Sequence, residues 1–274
     1  MIIDAHHHLW EYQPEKHQWI DHTMTSIRRD FKGDDLATVL SEQEVTGTVL
    51  VQVEQSEAET LWLVEQSMKF PFILGVVGWV DLKSEQIPER LAHFSNFSII
   101  KGFRHIAQSE PDDFLLGDAF QEGIACLQDF DFTFDLLIYP SQLESAIRLV
   151  EAFPDQRFVL DHIAKPNIKD GRIEPWATHI NTLGQFPNVF CKLSGMITEA
   201  DHHEWSYEQL APYLEVVLEA FGIDRMMFGS NWPVCLLAGQ YNQVLNVVET
   251  YISEFSQKEK DLILRENAIN FYNL

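Results

Sequence analysis

The sequence predicts an α/β chain closed into a barrel of eight parallel strands, and three observations carry that expectation. Short runs rich in β-branched and aromatic residues recur from end to end, eight in all, and several are almost continuously apolar, as strands covered by helices on one face and packed on the other must be. Amphipathic helical patterns lie between them, so strand and helix alternate throughout. No Pro/Ser-rich linker, low-complexity segment or composition break interrupts the alternation. The 274 residues suit one such barrel, and the reading is a single-domain (β/α)8 TIM barrel over residues 1–274. An open doubly wound sheet is the rival. No G-x-G-x-x-G or G-x-x-x-x-G-K-[ST] loop follows any candidate strand, so nothing supports nucleotide binding.

Taken in order, each strand brings polar residues to its carboxyl end, where barrels of this kind carry their chemistry. "MIIDAHHHL" ends in His6 and His8, "TGTVLVQVE" in Gln52 and Glu54, "FILGVVGWVD" in Trp79 and Asp81, and "SIIKGFRHI" in Arg104 and His105. "FTFDLLIY" is followed by Tyr139, "RFVLDHI" ends in Asp161 and His162, "VFCKLSGM" carries Lys192 and Ser194, and "RMMFGSNW" brings Asn231 and Trp232. Between them, Leu143, Ile147, Val150 and Phe153 make one helical stripe, and Leu210, Leu214, Val217, Leu218 and Phe221 another.

Composition narrows the partners. With 19 basic against 42 acidic side chains the net charge is −23, which repels nucleic acid and anionic lipid. No apolar run approaches the roughly 20 residues of a membrane span. Met1 leads directly into a strand pattern with no basic region or cleavage signal, so a cytoplasmic protein is expected. Cys126, Cys191 and Cys235 are odd in number and far apart, which fits reduced packing residues. Charge says little about oligomeric state.

Side chains alternate along a strand, so His6 and His8 share a face and His7 takes the other. Ile2 and Asp4 share the parity of His6 and His8, and that face is expected to look into the barrel. His162, on the parity of Phe158 and Leu160, is the natural third partner. Three imidazoles with an open position describe a catalytic site for zinc or a similar divalent ion. A single strand-end histidine is more often a hydrogen-bonded core residue; convergence from separate strands favours function. A tag remnant does not fit, because the native start precedes the run.

At this point "DAHHHLW", "KGFRHI", "LDHIAKP", "CKLSGMITEAD", "MMFGSNWPV" and "ENAINFY" together resemble the amidohydrolase superfamily, in particular its amidohydrolase-2 branch of sugar-lactone hydrolases. The resemblance covers essentially the whole chain. It implies a barrel that opens an aldonic-acid lactone, with His6, His8 and His162 matching the family's site histidines and a small-molecule sugar lactone as the partner. It implies one divalent metal, zinc or manganese, or a site that works without one, since the strand-five run lacks the histidine of binuclear members. Gln52, Trp79, Arg104, His105, Lys192 and Trp232 are the candidate substrate contacts, amides and guanidinium for hydroxyls and aromatic faces for the sugar ring. Arg104 and His105 have opposite parity, so one of them faces the ligand. Trp79 and Trp232 suit core packing equally well.

One departure bears on mechanism. Where many relatives carry G-S-D-W-P, this chain has "GSNWP", and the amide of Asn231 cannot take a proton from water. The base then falls to a histidine of the site, to Glu199 or Asp201, or to Asp161, unless Asp161 points outward and braces a helix. Two other functions stay open: a zinc-dependent decarboxylase of the same superfamily, and a catalytically silent sugar-acid binding protein.

Overall fold

A computed structural model describes residues 1–274. The strands are β1 (Ile2–His7), β2 (Val45–Val51), β3 (Ile73–Gly78), β4 (Ile100–His105), β5 (Thr133–Leu136), β6 (Phe158–Leu160), β7 (Val189–Leu193) and β8 (Met226–Phe228). They form one parallel sheet in sequence order. Past the end of β8, the amide of Asn231 donates to the His6 carbonyl at 2.8 Å and that of His8 to the Trp232 carbonyl at 2.7 Å, bringing the last strand back to the first.

The intervening helices are α1 (Gly33–Glu42), α2 (Glu57–Lys69), α3 (Ile87–Phe94), α4 (Asp118–Gln128), α5 (Leu143–Ala152), α6 (Trp176–Leu183), the short α7 (Met196–Glu199), α8 (Tyr207–Phe221) and α9 (Tyr241–Tyr251). The chain ends in α10 (Gln257–Asp261) and α11 (Asn267–Tyr272). Local chemistry sets several starts: Ser56 Oγ accepts from the Glu59 amide at 3.1 Å, and Gln209 Oε1 caps the Ser206 amide at 3.0 Å. The stripes at Leu143 and Leu210 begin buried faces of α5 and α8. None of the helices is long and apolar enough to cross a membrane, and all three cysteines are free.

Register separates the two strand faces. Phe103, Phe134 and Phe158 lie side by side and pack outward with the helices. Val51, Val77, Val159 and Met227 face the lumen with Ile3 and Val49, and Ala268, Phe271 and Tyr272 of α11 pack beneath them. The end of α11 is held where strands begin: Lys101 Nζ donates to the Asn273 carbonyl at 2.8 Å and Arg157 Nη1 to the Phe271 carbonyl at 2.8 Å. The final helix therefore closes the amino-terminal end of the barrel, opposite the strand ends that carry the polar residues.

Two parity expectations need correction. Ile2 and Asp4 do not share a face with His6 and His8. The β1–β2 pairing slips between Asp4 and His7, and this irregularity inverts the alternation, leaving Ile2 in the outer core and Asp4 bonded to Tyr241 Oη of α9 at 3.0 Å. His162 does not follow Phe158 and Leu160, which face outward. Strand β6 stops at Leu160, and His162, Ile163, Ala164 and Lys165 take left-handed φ values of 53°, 49°, 59° and 50°. That turn brings both Asp161 and His162 to the site.

Candidate active site

The centre is His6, fully buried at the end of β1. Its Nδ1 lies 3.2 Å from Asp161 Oδ1 and 3.2 Å from Lys192 Nζ. Lys192 already donates to Asp135 Oδ2 at 2.5 Å and lies 3.0 Å from Asp161 Oδ1, so the proton of His6 stays on Nδ1 and is directed at the Asp161 carboxylate, an acceptor only. That leaves the lone pair of His6 on Nε2. His8 is fixed in the same sense: its Nδ1 meets the Val51 carbonyl at 2.8 Å, which requires Nδ1–H and leaves Nε2 as an acceptor. The two Nε2 atoms face each other at 3.2 Å. Two lone pairs at that separation call for a cation, and the chain supplies one in Arg104, whose Nη1 is 3.3 Å from His6 Nε2.

His162 completes the group, its ring centroid 4.4 Å from that of His6. Its Nδ1 meets Ser194 Oγ at 2.8 Å, which leaves Nε2 free of protein partners. Burial lowers all three imidazoles, His8 to about 3 with Arg104 adding to the effect, so the rings are neutral near pH 7. Asp161 behaves oppositely. Burial alone would raise it, but Lys192, His6 and Arg104 outweigh that and hold it well below the carboxylate range. Arg104 Nη1 donates to Asp161 Oδ2 at 2.9 Å.

This donor set also suits a divalent metal. One donor atom each from His6, Asp161 and His162 lie within 4.8 Å of one another, and the 3.2 Å between the Nε2 atoms of His6 and His8 matches two ligands each about 2.0–2.1 Å from a shared zinc. The residues fit the ion. The donor set differs from three histidines alone, because Asp161 joins it.

The other sequence candidates divide. Gln52 Nε2 donates to the Arg104 carbonyl at 3.2 Å, and the Gln52 carbonyl accepts from Arg104 Nη2, so the two hold each other. Lys192 lies in the lumen and Asn231 at the rim, 4% exposed and with φ 55°. His105 points away: it stacks on Phe114 at 4.7 Å, bonds Glu110 Oε1 at 3.0 Å, and receives the indole N–H of Trp79 at 3.4 Å. The structure thus places Trp79 and His105 together outside the lumen. Trp232 is 3% exposed and packs edge-on to Phe31 at 5.2 Å, a core position. His7 faces the helix layer, with Nε2 2.9 Å from Thr48 Oγ1.

Three residues escaped the sequence reading. Asp135 is a lone acid in an apolar strand, a signal that was available. Lys165 sits at the rim, its Nζ 3.9 Å from Glu199 Oε1 and 5.6 Å from the Tyr139 ring centre. Burial lowers the Lys165 ammonium and raises Glu199. The third is Tyr272, in α11.

Eight parallel strands around a buried cluster of imidazoles, carboxylates and cations make this a (β/α)8 barrel of the hydrolase class. Within it the chain belongs to the amidohydrolase family, whose pattern it matches over residues 3–274. It is 37% identical over 240 residues to an L-fucono-1,5-lactonase of Burkholderia ambifaria, covering 87% of this chain and 82% of that one. A Burkholderia multivorans L-fucono-1,5-lactonase is 34% identical over 99% of this chain and 96% of its own. A crystal structure of an amidohydrolase from Burkholderia multivorans, with bound zinc, superposes with a TM-score of 0.97 at 34% identity, covering 100% of this chain and 99% of that one.

Proposed function

We propose that this chain hydrolyses a sugar-acid lactone, with a 1,5-lactone of a six-carbon aldonic acid as the favoured substrate, at the centre built on His6, His8 and His162. One observation carries the reading: likeness at 34% identity to an L-fucono-1,5-lactonase over nearly its full length. The geometry supports a matching division of labour. His162 Nε2, neutral and free of protein partners, takes the proton of the attacking water. As water oxygen bonds to the lactone carbonyl carbon, charge on the carbonyl oxygen falls to the Arg104 guanidinium. The ring C–O bond then breaks, the ring oxygen recovers the proton from His162, and the hydroxy acid so formed gives its carboxyl proton to bulk water and leaves as its carboxylate.

Asn231 orients the water or a substrate hydroxyl, and Lys165 at the rim offers an ammonium to the substrate's hydroxyls or the departing carboxylate. His6, His8, His162 and Asp161 would hold a divalent ion; with His162 Nε2 then engaged as a ligand, the ion would supply Lewis-acid polarisation and a more acidic water in place of that base. The test is a panel of aldonolactones in a pH-indicator assay, run with chelator and with added zinc or manganese. Turnover of a 1,5-lactone is expected. Tight binding without turnover under every metal condition would instead make the chain a sugar-acid binding protein, and release of carbon dioxide would make it a decarboxylase.

A further inference from the structure

The lumen holds a chain of contacts that the hydrolysis does not by itself require. Tyr272 of α11 enters the barrel from its amino-terminal end and its hydroxyl reaches Asp135, 3.0 Å from Oδ1 and 2.9 Å from Oδ2. Asp135 holds Lys192 at 2.5 Å, and Lys192 in turn lies 3.0 Å from Asp161 and 3.2 Å from His6. Asp135, Asp161 and Lys192 are all fully buried, and Tyr272 is 1% exposed.

Packing alone does not account for a tyrosine here. Its ring packs on apolar side chains, including Phe271 at 4.8 Å, with Lys192 Nζ 5.4 Å from the ring centre, and phenylalanine would keep all of these contacts without burying a hydroxyl. Electrostatics supply a reason. Asp135 and Asp161 both draw on the same ammonium, so the place of Lys192 between them depends on Asp135 keeping its orientation. Released from Asp135, Lys192 would close on Asp161 and compete with the His6 Nδ1–H for that carboxylate. We infer that Tyr272 is a positioning residue for the active centre: by fixing Asp135 it sets where Lys192 stands, and through Lys192 the pairing of Asp161 with His6. The part of "ENAINFY" that reaches the lumen is thus its tyrosine, entering from the end where the strands begin.

The kinetic part of the test rests on the proposed lactone hydrolysis; the spectroscopic part does not. Tyr272→Phe keeps the ring and removes only the hydroxyl. Expected is a fall in kcat of about tenfold to a hundredfold, the usual cost of losing an outer partner of a site ligand, with KM within about twofold. Phe271→Leu is the control: it loosens the same floor without touching the hydrogen bond, and should lower the melting temperature while leaving kcat near wild type. In parallel, the imidazole nitrogens are followed by 15N NMR, with His6 assigned by its loss in His6→Asn. The His6 signals should move in Tyr272→Phe while those of His7 stay. Unchanged His6 signals overturn the inference whatever the substrate, and so does a loss of kcat that Phe271→Leu reproduces. A wild-type chain inactive on every lactone would sink the function and leave the NMR result to decide the positioning role.

Discussion

His162 and His7 show how one residue type serves opposite ends at neighbouring depths. His162 presents an unpartnered Nε2 to the site, and His162→Asn removes the proposed base at nearly constant shape. Its kcat should fall by roughly 100-fold or more on the substrate identified by the lactone panel. Asn231→Asp should leave kcat close to wild type; a large gain would move the base to position 231. His7 makes its single side-chain bond to Thr48 of β2, on the outer face of the sheet, and burial lowers it to about 3 from its ordinary 6.5. The sign follows directly. The unfolded chain binds a proton at His7 below pH 6.5 and the folded chain does not, so His7's contribution is whole above that pH and is lost as pH falls towards 3. Each pH unit in that window costs about 1.4 kcal/mol. His7→Gln, which can keep the Thr48 bond, should therefore gain about 2 kcal/mol relative to wild type between pH 7 and pH 5, measured by urea unfolding at each pH. An equal difference at both pH values would show that His7 takes up a proton in the folded protein.

At the scale of elements, the order and number of strands were readable because a parallel barrel strand is apolar on both faces and short, a pattern that helices of this chain do not share. The site was readable as a list of strand ends, and less so as a geometry. Parity arguments assume unbroken alternation, and two irregularities defeat them: the slip in β1 that turns His6 inward, and the left-handed turn after β6 that brings in Asp161 with His162. Neither has a sequence signature as plain as alternation, since four consecutive left-handed residues at about 1–2 kcal/mol each are held by tertiary contacts, not by local preference. Gly195 is one of those contacts. It has φ 69°, and a Cβ there would stand 2.8 Å from both Cβ and Cγ of His162. Gly195→Ala should cut kcat sharply by displacing the ring and lower the melting temperature by roughly 5 °C or more. Gly171→Ala, at φ 65° with nothing within 4 Å of the added carbon, meets the backbone penalty alone and should leave kcat unchanged. If the two variants lose activity alike, strain and not contact with His162 governs position 195.

At the scale of the molecule, the net charge of −23 has a consequence for turnover. A lactone is neutral and its product is an anion, so a field from a net charge of −23 acts on one and ignores the other. In the proposed reaction Arg104, 3% exposed, offers its guanidinium to the product's carboxylate inside the protein, where salt screens little. The repulsion comes from surface carboxylates spread over the whole barrel, and salt screens it strongly: the Debye length falls from about 30 Å at 0.01 M to about 10 Å at 0.1 M. Raising ionic strength therefore removes the repulsion and keeps the attraction. The inhibition constant of the hydroxy-acid product should fall by roughly threefold to tenfold over that range, on the order of 1 kcal/mol, while KM for the lactone stays nearly constant. The measurement is product inhibition at fixed pH across a sodium chloride series. An inhibition constant that rises with salt would mean that the site's own cations, not the acidic exterior, dominate the field the product feels as it leaves.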